Sequence, residues 1–102
     1  MRLKRVQDAI AARLAEPLSL EALAAIAGMS PFHFARAFKT KTGCPPHRYV
    51  VVQRVERAKV LLRTTGLPIT EIAVRVGWEN PSKFAAQFKA MVGMTPGAWR
   101  AG

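Results

Sequence analysis

Residues 31–42 read PFHFARAFKTKT and residues 81–92 read PSKFAAQFKAMV. The chemistry open to these side chains is recognition rather than bond-making. The Arg36 guanidinium is a planar fork of donors that matches the two acceptors on a guanine edge. Phe32 offers an apolar surface to a thymine methyl, and His33 a ring nitrogen to a base edge or a phosphate. Lys39 and Thr40, one turn further on, suit phosphate oxygens. The second stretch offers Ser82, Lys83 and Ala86 near its start and Lys89 behind them. Each assignment has a plain rival. A surface Lys or Arg is commonly just a solvated charge, and Phe32 can pack on its own helix start.

Helical position decides which of these side chains face outward together. At about 100° per residue, Phe34, Ala37 and Phe38 share one side and form a core face. Phe32, Arg36 and Lys39 lie opposite, flanked by His33, Ala35 and Thr40. In the second stretch Phe84, Phe88 and Met91 turn inward, while Ser82, Ala86 and Lys89 face out beside Lys83 and Ala85. Gln87 leans to the inner side. The candidate base readers are therefore Phe32, His33, Ala35, Arg36, Ser82, Lys83 and Ala86. The candidate phosphate contacts are Ser30, Lys39, Thr40, Arg54, Arg57, Asn80 and Lys89. Ala86 occupies the place of Arg36, so the second stretch is expected to discriminate less between bases.

The elements that must position these residues are all helical. Leu3, Val6, Ile10 and Leu14 recur at helical spacing, with a stop expected near Pro17. Ser19 caps a short helix, LEALAAIA, which ends at Gly28. Ser30 is an N-cap and Pro31 takes N1, where a missing N–H costs nothing. Gly43 closes that helix. Pro45 and Pro46 open a long one, predicted over 46–64, with Val51, Val55, Ala58 and Leu62 as its buried stripe. After the turn TTGLP the pattern recurs. ITEIAVRV is a short helix broken at Gly77, Asn80 and Pro81 repeat the cap, Gly93 is the stop, and Thr95 and Pro96 start a last helix holding Trp99. The repeat has one irregularity. Gly28 matches Gly77 at an offset of 49 residues, whereas Phe34 matches Phe84 at 50, so the turn GWEN carries one residue more than GMS.

A short helix, a glycine turn and a longer helix make a helix-turn-helix, whose second helix enters the major groove of DNA. Two such units in tandem give the expected architecture. It is all-α, with seven helices in a homeodomain-like arrangement: a first subdomain over 1–45, a linker helix over 46–64 and a second subdomain over 65–102. A helix of that length spans roughly 28 Å at about 1.5 Å per residue. Successive major-groove faces lie about 34 Å apart. Arg48, Arg54, Arg57, Lys59 and Arg63 stud the linker helix; some should reach phosphates, and any single one is as well explained as a solvated charge.

Charge and composition agree with that partner. The 102 residues hold 16 Lys and Arg against 6 Asp and Glu, a formal charge of +10, which points to a polyanion and first to double-stranded DNA. A basic membrane surface or RNA module is the other class. Membrane binding would want one amphipathic helix with exposed aromatics, and the apolar residues here are spent on two cores. RNA readers commonly use aromatic platforms on sheets, and no sheet is expected. No apolar run long enough to span a bilayer occurs, and no signal peptide is evident. The single cysteine, Cys44, makes no internal disulfide and fits a reducing cytoplasm. Catalysis is not expected: no phosphate-binding glycine loop, nucleophile elbow or paired carboxylate motif is present. Cys44, His33 and His47 lack zinc-finger spacing, so no metal or cofactor and no small-molecule site is expected.

The segments LSLEALAAIAGMSPFHFARAFKTKTG, RVERAKVLL, PITEIAVRVGW and FKAMVGMTPGAWR resemble the DNA-binding domain of AraC/XylS-type bacterial transcription regulators over nearly the whole chain. The resemblance implies two helix-turn-helix units on a rigid helix, binding an asymmetric site as one protomer, with helices 31–42 and 81–92 as readers. It implies activation through RNA polymerase and a bacterial, nucleoid-associated location. Most such regulators carry an effector-binding or dimerisation domain first, so the chain is expected to be an excised C-terminal domain; a small stand-alone regulator is the alternative. Pro68 stands where the family often has a Ser cap, Ala86 where a basic residue is common, Trp99 in place of Tyr, and Gly97 in place of a polar helix former.

Overall fold

A computed structural model describes residues 2–102. Those residues form helices only: α1 Leu3–Ala12, α2 Leu20–Ala27, α3 Pro31–Thr42, α4 Pro46–Thr64, α5 Ile69–Arg75, α6 Pro81–Val92 and α7 Pro96–Ala101. The chain divides into two compact units, one ending at Val51 and the other beginning at Val52. The boundary falls within α4, so the long helix gives its first turns to one unit and the rest to the other.

Side-chain caps set most helix starts. Ser19 accepts from the Ala22 N–H at 3.1 Å, Ser30 from His33 at 3.3 Å, and Thr95 from Ala98 at 3.1 Å. Asn80 Oδ1 accepts from both Ser82 and Lys83, at 2.8 and 3.2 Å. Each cap satisfies donors that a helix start leaves open and is worth about 1 kcal/mol. Proline sits at the first position of α3, α6 and α7. Gly43 and Gly93 end α3 and α6 in the left-handed region, at φ 76° and 90°, with their N–H groups on the carbonyls of Lys39 and Lys89. A side chain there would strain the backbone.

The first unit buries Val6 and Ile10 of α1, Leu23 and Ala24 of α2, Phe34 and Phe38 of α3, and Val50 of α4. The second buries Val55, Ala58 and Leu62 of α4, Ile72 and Ala73 of α5, Val76, and Phe84 and Phe88 of α6. The phenylalanine pairs stack in the same way, with ring centroids 5.5 Å apart for Phe34–Phe38 and 5.8 Å for Phe84–Phe88. Tyr49 packs edge-on against Phe38 at 5.2 Å. Trp78 and Trp99 flank the second pair at 5.2 and 6.5 Å. Each fully buried Phe contributes about 1.5–3 kcal/mol of transfer free energy.

Two details depart from the sequence reading. Helix α1 stops at Ala12, and Leu14 packs on the first core from the turn beyond it. Arg13 caps the helix, its N–H shared between the carbonyls of Ala9 and Ile10, and Pro17 keeps Glu16 from resuming it. On α4 the residue buried in the first core is Val50, while Val51 is half-buried. A helix that serves two cores does not keep one stripe from end to end.

The irregularity of the repeat resolves to one position. Met29 donates its N–H to Ala24 O at 3.0 Å, and Trp78 donates to Ala73 O at 2.9 Å. These bonds correspond at an offset of 49. The next residue in the first unit is the cap Ser30, whereas in the second the cap is Asn80. Glu79 is the extra residue.

Candidate nucleic-acid interface

The outward side of α3 carries a small preformed cluster. Phe32 is 66% exposed, which is unusual for a Phe on a helix that buries two others. The Arg36 guanidinium lies 5.5 Å from the centroid of its ring. The His33 ring meets Phe32 edge-on at 5.8 Å. His33 Nδ1 is 2.7 Å from Ser30 Oγ, the same oxygen that caps the helix. Phe32, His33 and Arg36 are thus held in register by contacts among themselves, one helical turn apart. Lys39 and Thr40 are exposed behind them, and Ala35 is half-buried at the edge of the face.

Helix α6 places Ser82, Lys83, Ala86 and Lys89 on its exposed side. Ala85 is half-buried, matching Ala35, and Gln87 is half-buried as its angle predicts. Among the described residues this face has neither an aromatic ring nor a guanidinium. Neither α3 nor α6 contains an acidic residue, so no internal carboxylate competes with an anionic partner. Helix α5, by contrast, pairs Arg75 with Glu71 at 3.1 Å.

The cations of α4 divide by environment. Arg57 is exposed. Arg54 is half-buried, and desolvation lowers its pKa, although a guanidinium keeps its charge at neutral pH. Lys59 and Arg63 are engaged by Trp99. The Arg63 guanidinium lies 3.7 Å from the Trp99 ring centroid and the Lys59 ammonium 4.9 Å. Lys59 also pairs with Glu56 at 3.3 Å. Trp99 Nε1 donates to Lys59 O at 3.1 Å, and Arg63 Nε donates to Trp99 O at 3.2 Å. Arg100 completes this latch, with Nε donating to Leu62 O at 2.9 Å and Nη2 to Leu67 O at 2.6 Å. It thereby satisfies a carbonyl that the end of α4 leaves open. The pairing of α4 with residues near 100 has no local sequence signal; aromatic and basic residues at both ends were visible, but not their meeting.

Of the expected phosphate contacts, Ser30 Oγ serves the α3 cap and lies against His33 Nδ1, while Asn80 Oδ1 accepts two backbone donors and leaves its side-chain amide donors for a phosphate. The candidate base readers lie in two groups, one on each unit.

A family model described as "Helix-turn-helix domain" matches residues 23–102. A transcriptional regulator of Chromobacterium violaceum, described as containing an AraC-type DNA-binding domain, superposes with a TM-score of 0.91 at 29% identity, over 97% of this chain and 88% of that one. This chain belongs to the AraC/XylS-type helix-turn-helix family. The AraC-type architecture extends to the DNA-binding domain of AdpA, solved with a target DNA, which has a TM-score of 0.92 and 35% identity over 97% of this chain and 89% of that chain. The Right origin-binding protein of Escherichia coli K12 is 37% identical over 87 residues, or 85% of this chain. The chain spans 30% of that relative's length. Among the described residues no helix is long and apolar enough to cross a membrane.

Proposed function

We propose that this domain binds double-stranded DNA sequence-specifically as the reading module of a bacterial transcription activator. Helices α3 and α6 enter two successive major grooves of an asymmetric site, so that a single protomer covers both. Phe32, His33, Ala35 and Arg36 meet bases from the first unit, and Ser82, Lys83 and Ala86 from the second. Lys39, Thr40, Arg54, Arg57, Asn80 and Lys89 meet phosphates. RNA polymerase is the protein partner, the cytoplasm is the location, and no enzymatic step or cofactor belongs to the domain.

The observation that carries this reading is the pair of acid-free outward faces on α3 and α6, each held by a side-chain cap with proline at N1, a left-handed glycine stop and two buried phenylalanines. The AdpA domain, which is similar along almost all of this chain and was solved with DNA, supports it. Selection from random duplex DNA tests it. The expected product is an asymmetric motif of two boxes about 10 base pairs apart, centre to centre. A basic module that binds without sequence preference would enrich no motif, and that result would sink the proposal.

A further inference from the structure

The contact between Ser30 and His33 admits two directions, one for each tautomer of the ring. Ser30 Oγ already accepts the His33 backbone N–H, at 3.3 Å, as the cap of α3. The same oxygen lies 2.7 Å from His33 Nδ1. With one lone pair turned to the cap, the hydroxyl can still donate its proton to an unprotonated Nδ1 or accept from Nδ1–H through its second lone pair. When it donates, the ring proton is on Nε2, the nitrogen remote from Ser30. The edge-on contact with Phe32 restricts the ring's rotation, and Phe32 is in turn covered on one side by Arg36.

We infer that Ser30 is a positioning residue that fixes His33 as an outward hydrogen-bond donor through Nε2–H, and that His33 thereby selects a purine, guanine above all, at one position of the first box. The inference rests on the reading of α3 as a major-groove helix. Guanine presents two acceptors in the major groove, N7 and O6, and no donor. Adenine sets its N6 amine beside N7, and cytosine presents only a donor, which an N–H donor disfavours. A histidine with the opposite tautomer would reverse that preference. Ser30 accordingly leaves the set of phosphate contacts, since its hydroxyl has both a proton acceptor and a proton donor inside the helix start.

Two measurements on the 102-residue chain test this. The first is the imidazole nitrogen spectrum of His33 at slightly alkaline pH in the absence of DNA. The expected signature is a protonated Nε2 and an unprotonated Nδ1 in the wild type and in Ser30→Thr. Ser30→Asp keeps a strong cap but only accepts, so it moves a proton onto Nδ1. A wild type with the proton on Nδ1 overturns the inference. The second measurement uses the selected site with 7-deazaguanine placed at each guanine in turn. One position in the first box should cost the wild type and Ser30→Thr about three- to tenfold in affinity, and His33→Ala nothing further. Ser30→Asp should lose that discrimination while retaining the helical circular dichroism of the wild type. A penalty at the Arg36 guanine is expected to persist in His33→Ala; if every deaza penalty in the first box persists there, the inference is overturned while DNA reading by α3 stays intact. Failure to select any site overturns the function and this inference with it.

Discussion

At positions 32, 33 and 36 the first unit exposes a benzyl ring, an imidazole and a guanidinium, whereas at 82, 83 and 86 the second exposes a hydroxyl, an ammonium and a methyl. Beneath these faces the units bury phenylalanines at 34 and 38 and at 84 and 88, all with no exposed surface. The inner side of each helix is held to one pattern because packing tolerates little change, and the outer side is not. The two units are alike in what folds them and unlike in what they can recognise. Arg36 can form a bidentate pair with guanine, while Ala86 can only touch a thymine methyl. On the proposed reading, the first unit discriminates between bases and the second chiefly holds the backbone.

The likeness of the interiors is tested by the largest effect. Phe38→Ala and Phe88→Ala should each cost about 3–5 kcal/mol in denaturant unfolding, from lost transfer energy and the cavity left behind. If Phe88→Ala kept the wild-type melting temperature and abolished DNA binding instead, inner and outer faces would have been exchanged. The next effect separates the units. Arg100→Ala removes charged hydrogen bonds to the carbonyls of Leu62 and Leu67, and should cost roughly 2 kcal/mol. Hydrogen exchange should accelerate at the end of α4 and in α5–α7 and stay unchanged in α1–α3; equal acceleration in both units would mean that the latch is not local to the second.

The smaller effects address recognition. Arg36→Ala should weaken the best site by about 1–3 kcal/mol and relax preference at one or two base positions. Lys83→Ala should weaken all sequences evenly and lower the slope of log K against log salt by about 1. A panel of single-base site variants, titrated at several salt concentrations, reads both. Base-specific loss in Lys83→Ala together with uniform loss in Arg36→Ala would reverse the two units' roles.

The capped starts, the glycine stops, the buried phenylalanines and the bounds of α3, α4 and α6 were legible because each has a local signature within a turn or two of helix. Leu14 was misplaced because apolar spacing continued past Ala12, where the helix ends, and Pro17 was the only local stop signal in the sequence. Val51 was chosen over Val50 because a single stripe was extended along a helix that packs into two cores. The engagement of Lys59 and Arg63 by Trp99 joins residues 36 to 40 apart in sequence, and periodicity carries no information at that range. The second role of Ser30 was hidden for another reason. Its value as a cap was plain, but the nearness of a side-chain nitrogen three residues on depends on a rotamer.

The matching starts and stops of α3 and α6 make the outward residues a removable part. In engineering terms each of the two helices is a cartridge with closely similar fittings, and its contents can be exchanged with little change to the housing. Ser82→Phe, Lys83→His and Ala86→Arg would load the first unit's contents into the second. The cap must travel with them, because Asn80 spends its oxygen on two backbone donors, and Asn80→Ser would restore the hydroxyl that orients the transplanted imidazole. The product should be a protein with two matching heads, and its selected DNA should carry the first box twice.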